Sequence, residues 1–433
     1  MIQATTGRTV PPLATPPSRK HRFASSFFAL SAGGSRIRRF LAALRAVTAL
    51  AAPLVPMTAH TANIVVGPSE ALTRIGDAAT VAEDGDVILI LPGEYAEDVA
   101  HWLQKSLTIR GIGSFDERPV VKQRARNNND EETPDTGLWV LHDGAFLIEN
   151  LQFEDARNPD GNRAAIRLQR GRLEVRGSAF SNNQHAIATD DDAESELVVH
   201  NSIFANAPRP NPVPPHLLNV GRIARFELVG SHVRGGYEGH LVKSRARESE
   251  IRYNMIYDGA DGGSLYELDF PNGGSARVVG NVIGQADTTH NPIVISYGED
   301  GPTWAENRLH LAHNTLVSAG LRAARFLQVW DYEFSEGIEV QAFNNLTVGL
   351  GAFTLGVRGT FSGNYPLPPG LFDPGSLDFT LGPRSLLRGR VEPLPSEDPL
   401  RPRAEFALPA GTIPQTPPAE WVPGAFQSYN AER

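Results

Sequence analysis

The chain has 433 residues, 41% of them apolar and 8% aromatic, enough for one large domain or two ordinary ones with a true core. Its 41 glycines and 33 prolines exclude a helical bundle and suit many short strands, and the absence of cysteine excludes disulfide frameworks, thiolate metal sites and cysteine nucleophiles. The formal charge of -9 hides a split, because the first 62 residues hold eight basic side chains and no acid, leaving 32 basic against 49 acidic residues in the rest. That body, at -17, argues against nucleic-acid binding, which needs clustered Lys and Arg to neutralise phosphate.

In chain order, Arg36-Ile-Arg-Arg39 precedes the apolar stretches Phe40–Leu44 and Ala46–Val55, with small residues up to Ala62. A basic segment, an apolar run and small residues are the layout of an export signal, and the run is too short for a membrane span. Residues 1–62 are therefore expected to be a cleaved or disordered leader, which places the mature protein in the periplasm or outside the cell with no membrane span. From Leu72 to Ala82 apolar residues recur at helical spacing, and Asp86-Val-Ile-Leu-Ile-Leu-Pro-Gly-Glu-Tyr95 reads as a buried strand ended by a turn.

A short unit then recurs: apolar, any, apolar, any, Asn or Gly, any, apolar. It occurs as Leu147-Ile-Glu-Asn150-Leu-Gln-Phe153, Leu173-Glu-Val-Arg-Gly177-Ser-Ala-Phe180, Leu197-Val-Val-His-Asn201-Ser-Ile-Phe204 and Phe226-Glu-Leu-Val-Gly230-Ser-His-Val233. Later copies centre on Asn254, Asn281, Asn314 and Asn345. This spacing is the length of one solenoid turn, and Asn or Gly at each bend suits left-handed backbone, with Asn amides free to bond from coil to coil. Asn150, Asn201, Asn254, Asn281, Asn314 and Asn345 are read as structural ladder residues.

The helix, Gly85-Asp86 and Leu91-Pro-Gly-Glu-Tyr95, in that order, resemble the N-terminal cap of right-handed parallel β-helix proteins of the pectate-lyase-like superfamily. The resemblance implies an all-β fold: a right-handed parallel β-helix over residues 63–391 with an N-terminal capping helix, and an extended Pro-rich tail over 392–433 packed on or near it. The stack is expected to close near Asp378–Leu387.

A solid β-helix carries function on its outward strand positions and loops. Only four lysines stand against 36 arginines, and Lys243 lies at a strand centre with Arg245 two residues on, projecting to the same face. Lysine sheds its proton near neutrality when desolvated or set beside cations, which arginine does not. The segment Glu238-Gly-His240-Leu-Val-Lys243-Ser244-Arg245-Ala-Arg247 resembles the catalytic coil of the alginate and chondroitin lyases of polysaccharide lyase family 6. The resemblance implies that Lys243 is the base removing the C5 proton of a uronic acid and that Glu238 is a calcium ligand.

In that family the next coil supplies an Arg, whereas here the corresponding strand reads Tyr266-Glu267-Leu-Asp269. The second catalytic group is therefore open among Tyr266, His240 and Glu267. Counting back from Asn254 and Asn281 sets Lys243 and Arg245 beside Glu267 and Asp269, about 5 Å apart, an arrangement that also suits a plain salt-bridge ladder. Arg247, Tyr297, Gln328 and Trp330 are substrate-binding candidates, and the proline-rich insert Pro208–Pro215 is a candidate groove wall.

Three functions stay open. The first is an exported carbohydrate-active enzyme that cleaves an acidic polysaccharide by β-elimination, with calcium as the implied cofactor. The second is a glycoside hydrolase using Glu238, Glu267 or Asp269 as its carboxylate pair. The third is a non-catalytic glycan-binding or adhesive β-helix.

Overall fold

The computed structural model describes residues 61–123, 136–260, 262–372 and 374–428. All of the expected leader except Thr61 and Ala62 lies outside them. Among the described residues no helix is long and apolar enough to cross a membrane.

Three parallel sheets of twelve, ten and eleven strands run the length of the stack, and each coil contributes one strand to each sheet. This is a right-handed parallel β-helix. The twelve-stranded sheet runs from Asn63–Val66 to Thr360–Ser362, the ten-stranded from Ala100–Trp102 to Gly351–Ala352, and the eleven-stranded from Glu94–Ala96 to Tyr365–Leu367. Inward residues stack by type from coil to coil. Phe153, Phe180 and Phe204 form one file, with ring centroids 5.1 and 4.9 Å apart and planes 7° from parallel, the offset stacking that aromatic pairs favour.

The capping helix spans Ile75–Val81, two turns rather than the three expected. It buries Ile75, Ala78 and Ala79 against the first coils. The Asp98 carboxylate accepts the backbone N–H groups of Ile75 at 2.6 Å and Gly76 at 2.8 Å, satisfying donors that a helix start leaves unpaired.

The bend chemistry is shifted by one residue in two of the six expected positions. Asn150 and Asn201 adopt φ of 54° and 50°, and in the same place later coils carry Gly230, Tyr253, Gly280, His313 and Asn344, all left-handed. The buried ladder lies one residue on, as Ser178, Ser202 and Ser231, then Asn254, Asn281, Asn314, Asn345 and Asn364. Each Asn from 254 to 345 donates its Nδ2 to the Oδ1 of the next at 2.8 to 3.0 Å.

The last ladder strand is Tyr365–Leu367, earlier than the expected closure. Beyond it the chain turns back along the outside. Phe379, Phe406, Ala425 and Phe426 cover Met255, Tyr257, Val282, Val317 and Val348 on the outer face of the eleven-stranded sheet. Leu400 packs with Tyr253, Val279 and Ala312 at the neighbouring edge. The proline-rich tail is thus a strap that completes the apolar surface.

Candidate functional site

The outer face of the ten-stranded sheet is polar where the strands Leu218–Val220, His240–Ser244, Tyr266–Phe270, Ile293–Tyr297 and Ala324–Val329 lie side by side. Alternation fixes which side chains emerge there. Val242, Leu268, Ile295 and Leu327 form an inward file, and the next residue of each strand gives the outward file Asn219, Lys243, Asp269, Ser296, Gln328. A second file aligns His240 with Tyr266.

Lys243 is half-buried. Among the described residues its ammonium has no ion-pair partner within 4 Å. Desolvation, then the charge of Arg245, hold its pKa below the ordinary lysine value, while Asp269, Asp300 and Glu299 act in the opposite sense. Arg245 donates to Asp300 at 2.9 Å, which ties the cation beside the lysine to a neighbouring loop. Arg247 is exposed, its guanidinium 5.9 Å from the Trp304 ring.

Asp269 stands in register with Lys243, yet its Oδ2 lies 3.1 Å from His240 Nδ1. Both side chains are buried. The His240 ring lies 4.9 Å from Tyr266 on one side and 4.7 Å from His216 on the other. His216 Nδ1 accepts the His240 backbone N–H at 3.0 Å, and burial pushes the His216 imidazole well below its usual pKa, so it is neutral. The Tyr266 hydroxyl donates to Glu299 at 2.9 Å. Burial first, then that carboxylate, raise the pKa of the Tyr266 hydroxyl above the usual tyrosine value and keep it protonated.

Lys243, Arg245, His240, Tyr266 and Asp269 therefore share one face. Glu267 does not. Its strand neighbours are the core residues Leu241 and Val294, it is 1% exposed, and neither of its oxygens has a hydrogen-bond partner. Of the alignment expected from the sequence, Asp269 does stand beside Lys243, whereas Glu267 is buried among core residues. The alternative of a salt-bridge ladder is not what forms, since neither acid pairs with Lys243 among the described residues. Tyr297 is also in the interior, where its hydroxyl donates to the Gly274 carbonyl at 2.6 Å, so it offers no sugar platform.

Trp330 is half-buried, with Nε1 donating to Ser296 Oγ at 3.3 Å and its ring 6.1 Å from the exposed Tyr332. Gln328 lies in the outward file and accepts from Arg325. Glu238 is exposed at φ 55°, hydrogen-bonded to the Tyr237 hydroxyl. The implied calcium does not fit this environment. Calcium takes roughly six to eight oxygens, and among the described residues no group of three or more His, Asp or Glu side chains is placed to hold a metal.

The proline-rich insert borders the site. The Pro215 carbonyl lies so close to Gly239 that a Cβ there would meet it at 1.8 Å, and Arg209 sits 5.2 Å over the Tyr237 ring. Sequence reasoning missed the opposite wall, the loop after Tyr297. It carries Glu299 to Tyr266 and Asp300 to Arg245, and Trp304 Nε1 donates to the Arg245 carbonyl at 3.0 Å. The acids next to Gly298 were the available signal, because a glycine turn at a strand end throws its neighbours over the adjacent coil.

Chemically, the face presents an amine with no ion pair among the described residues, a protonated phenol held by a carboxylate, a histidine beside a buried aspartate, and two arginines just past the strand that carries the lysine. No family model matches the chain, and no curated protein matches it. Among solved structures it is similar to a crystal structure of the pectate lyase Pel9A, at 13% identity and a TM-score of 0.49, covering 86% of this chain and 97% of that one.

Proposed function

We propose that the protein is a carbohydrate-active enzyme that cleaves a uronate-containing polysaccharide by β-elimination, acting outside the cytoplasm as its basic and apolar leader suggests. The observation that carries the reading is Lys243, an amine with a lowered pKa and no ion pair among the described residues, on the same face as the Tyr266 hydroxyl.

In this reading the neutral Lys243 amine takes the C5 proton of the uronate and becomes an ammonium. The electron pair left at C5 forms the C4–C5 double bond, and the bond from C4 to the glycosidic oxygen breaks. Tyr266 gives its proton to that oxygen and recovers it through solvent. A proton next to an ionised carboxylate is weakly acidic until that charge is offset, a task for Arg245 and Arg247. His240, beside Asp269, packs on Tyr266 and sets the angle of the phenol. No step is assigned to calcium.

The test is ultraviolet absorbance of the unsaturated uronate product on a panel of acidic polysaccharides, with wild type and Lys243→Ala. Turnover lost in the variant supports the reading. Reducing ends released without that absorbance would show hydrolysis instead, and binding without turnover would show a glycan-binding protein.

A further inference from the structure

On the far side of the stack, the strap leaves a cavity of about 640 Å³ between itself and the outer face of the eleven-stranded sheet. Its floor is Ile203, His232, Arg234 and Tyr257, and Leu408 and Pro409 overhang it from the turn that joins Ala404–Phe406 to Thr412–Pro414. Two features of the sequence open this space. Gly284, next to Tyr257 in the stack, has no side chain, so the Tyr257 ring lies over it. Gly259, at φ 78°, has nothing within 4 Å of where a Cβ would stand.

The walls are apolar except at three points. Arg234 is exposed and makes no ion pair among the described residues. His232 is 6% exposed, and its Nε2 has no hydrogen-bond partner. Burial and the nearby Arg234 push the His232 imidazole down to about 4, so it is neutral at ordinary pH, and its one ring N–H is taken by the Pro409 carbonyl, which leaves Nε2 a buried acceptor. Asp287 is an exposed carboxylate on the rim, with no ion pair among the described residues. The volume lies within the range of small-molecule sites, which combine apolar walls with a few fixed polar groups.

We infer that this cavity is a second binding site, separate from the Lys243 face, for a compact apolar monocarboxylate whose anion meets Arg234. The apolar body lies between Tyr257 and Leu408. A second negative charge on the ligand would meet Asp287, so a single anion is selected over a dianion.

The experiment is calorimetric titration of the full chain with octanoate and, separately, octanol. Octanoate is expected to bind saturably and at least ten-fold more tightly than octanol. Arg234→Gln should abolish that ratio, and Ala319→Trp, which fills the wall without touching the charge, should weaken both probes at least ten-fold. Absence of saturable octanoate binding to wild type, equal affinity for the two probes, or octanoate affinity unchanged by both variants would overturn the inference.

Discussion

Lys243 and Asp269 face each other in register on adjacent strands, yet the Asp269 carboxylate lies 3.1 Å from His240 Nδ1 and leaves the lysine without an ion pair. A lysine beside a buried acid is ordinarily committed to it. Here the two groups make no ion pair with each other, and the amine keeps the freedom that a base requires.

Replacing Lys243 with alanine should lower kcat/KM by about 10²- to 10⁴-fold, the usual contribution of a positioned base. The wild-type rate should rise with pH through a limb set by the lowered Lys243 pKa. Arg245→Gln removes a charge that depresses this pKa and should move the limb to higher pH. Asp269→Asn removes one that raises it and should move the limb to lower pH. Shifts in the reverse directions in pH profiles of kcat/KM would assign the limb to another group.

Tyr266→Phe keeps the ring beside His240 and deletes only the hydroxyl. If that hydroxyl donates the proton, kcat falls about 10²- to 10⁴-fold with KM little changed. Glu299→Gln should act in the same direction but less, because the carboxylate only holds the phenol. Unaltered kcat in Tyr266→Phe would move the donor role to His240.

Glu267 is a carboxyl inside the core whose pKa is raised well above the usual carboxylate range by burial and then by Asp258. For a raised acid, stability is fully present below the unfolded pKa and is lost as pH rises toward the folded value. Glu267→Leu matches its stack neighbours Leu241 and Val294. It should stabilise the protein at neutral pH by roughly 1–3 kcal/mol and flatten the decline of stability with pH. Urea unfolding at acidic and neutral pH reads both effects, and a destabilised variant would show that the carboxyl has an internal partner.

Asn281 accepts from the Asn254 backbone N–H and side-chain amide, both at 2.9 Å, and donates to the Ile251 carbonyl at 2.8 Å and to Asn314 at 3.0 Å. Asn281→Ala leaves buried groups on both sides unpaired and should cost at least about 2 kcal/mol. Asn150→Ala, at a half-buried bend where the side chain bonds Arg118 and the Gly111 and Gly113 carbonyls within reach of solvent, should cost less. Denaturant midpoints of the two variants provide the comparison.

Much of the fold was legible because a solenoid writes its architecture in the chain as repetition. The bends around Gly177, Asn201, Gly230 and Asn254 each fell in the right coil. The one-residue ambiguity between left-handed and ladder positions arose because Asn serves both, and only the backbone dihedral separates Asn201 from Asn254. The site was half legible. Alternation correctly put Lys243 on the outer face, but strict alternation misplaced Glu267. In that part of the sheet two successive positions, Leu241 and Val242, both enter the core, which no count by twos can foresee. Glu299 and Asp300 escaped because their contacts cross to other coils, 33 and 55 residues away in sequence.

The strap also changes how the stack melts. A bare solenoid is held only by neighbour-to-neighbour contacts and frays from its ends. In this chain Arg403 N–H bonds the Tyr253 hydroxyl across 150 residues, and Ala425 N–H bonds Thr315 across 110. Those links join the coils from about Ser231 to Leu346 into a single cooperative block that contains Lys243, while the coils before Phe180 stay outside it. The coils under the strap are therefore expected to open as one unit, and amide protons around Lys243 should exchange with that slow block.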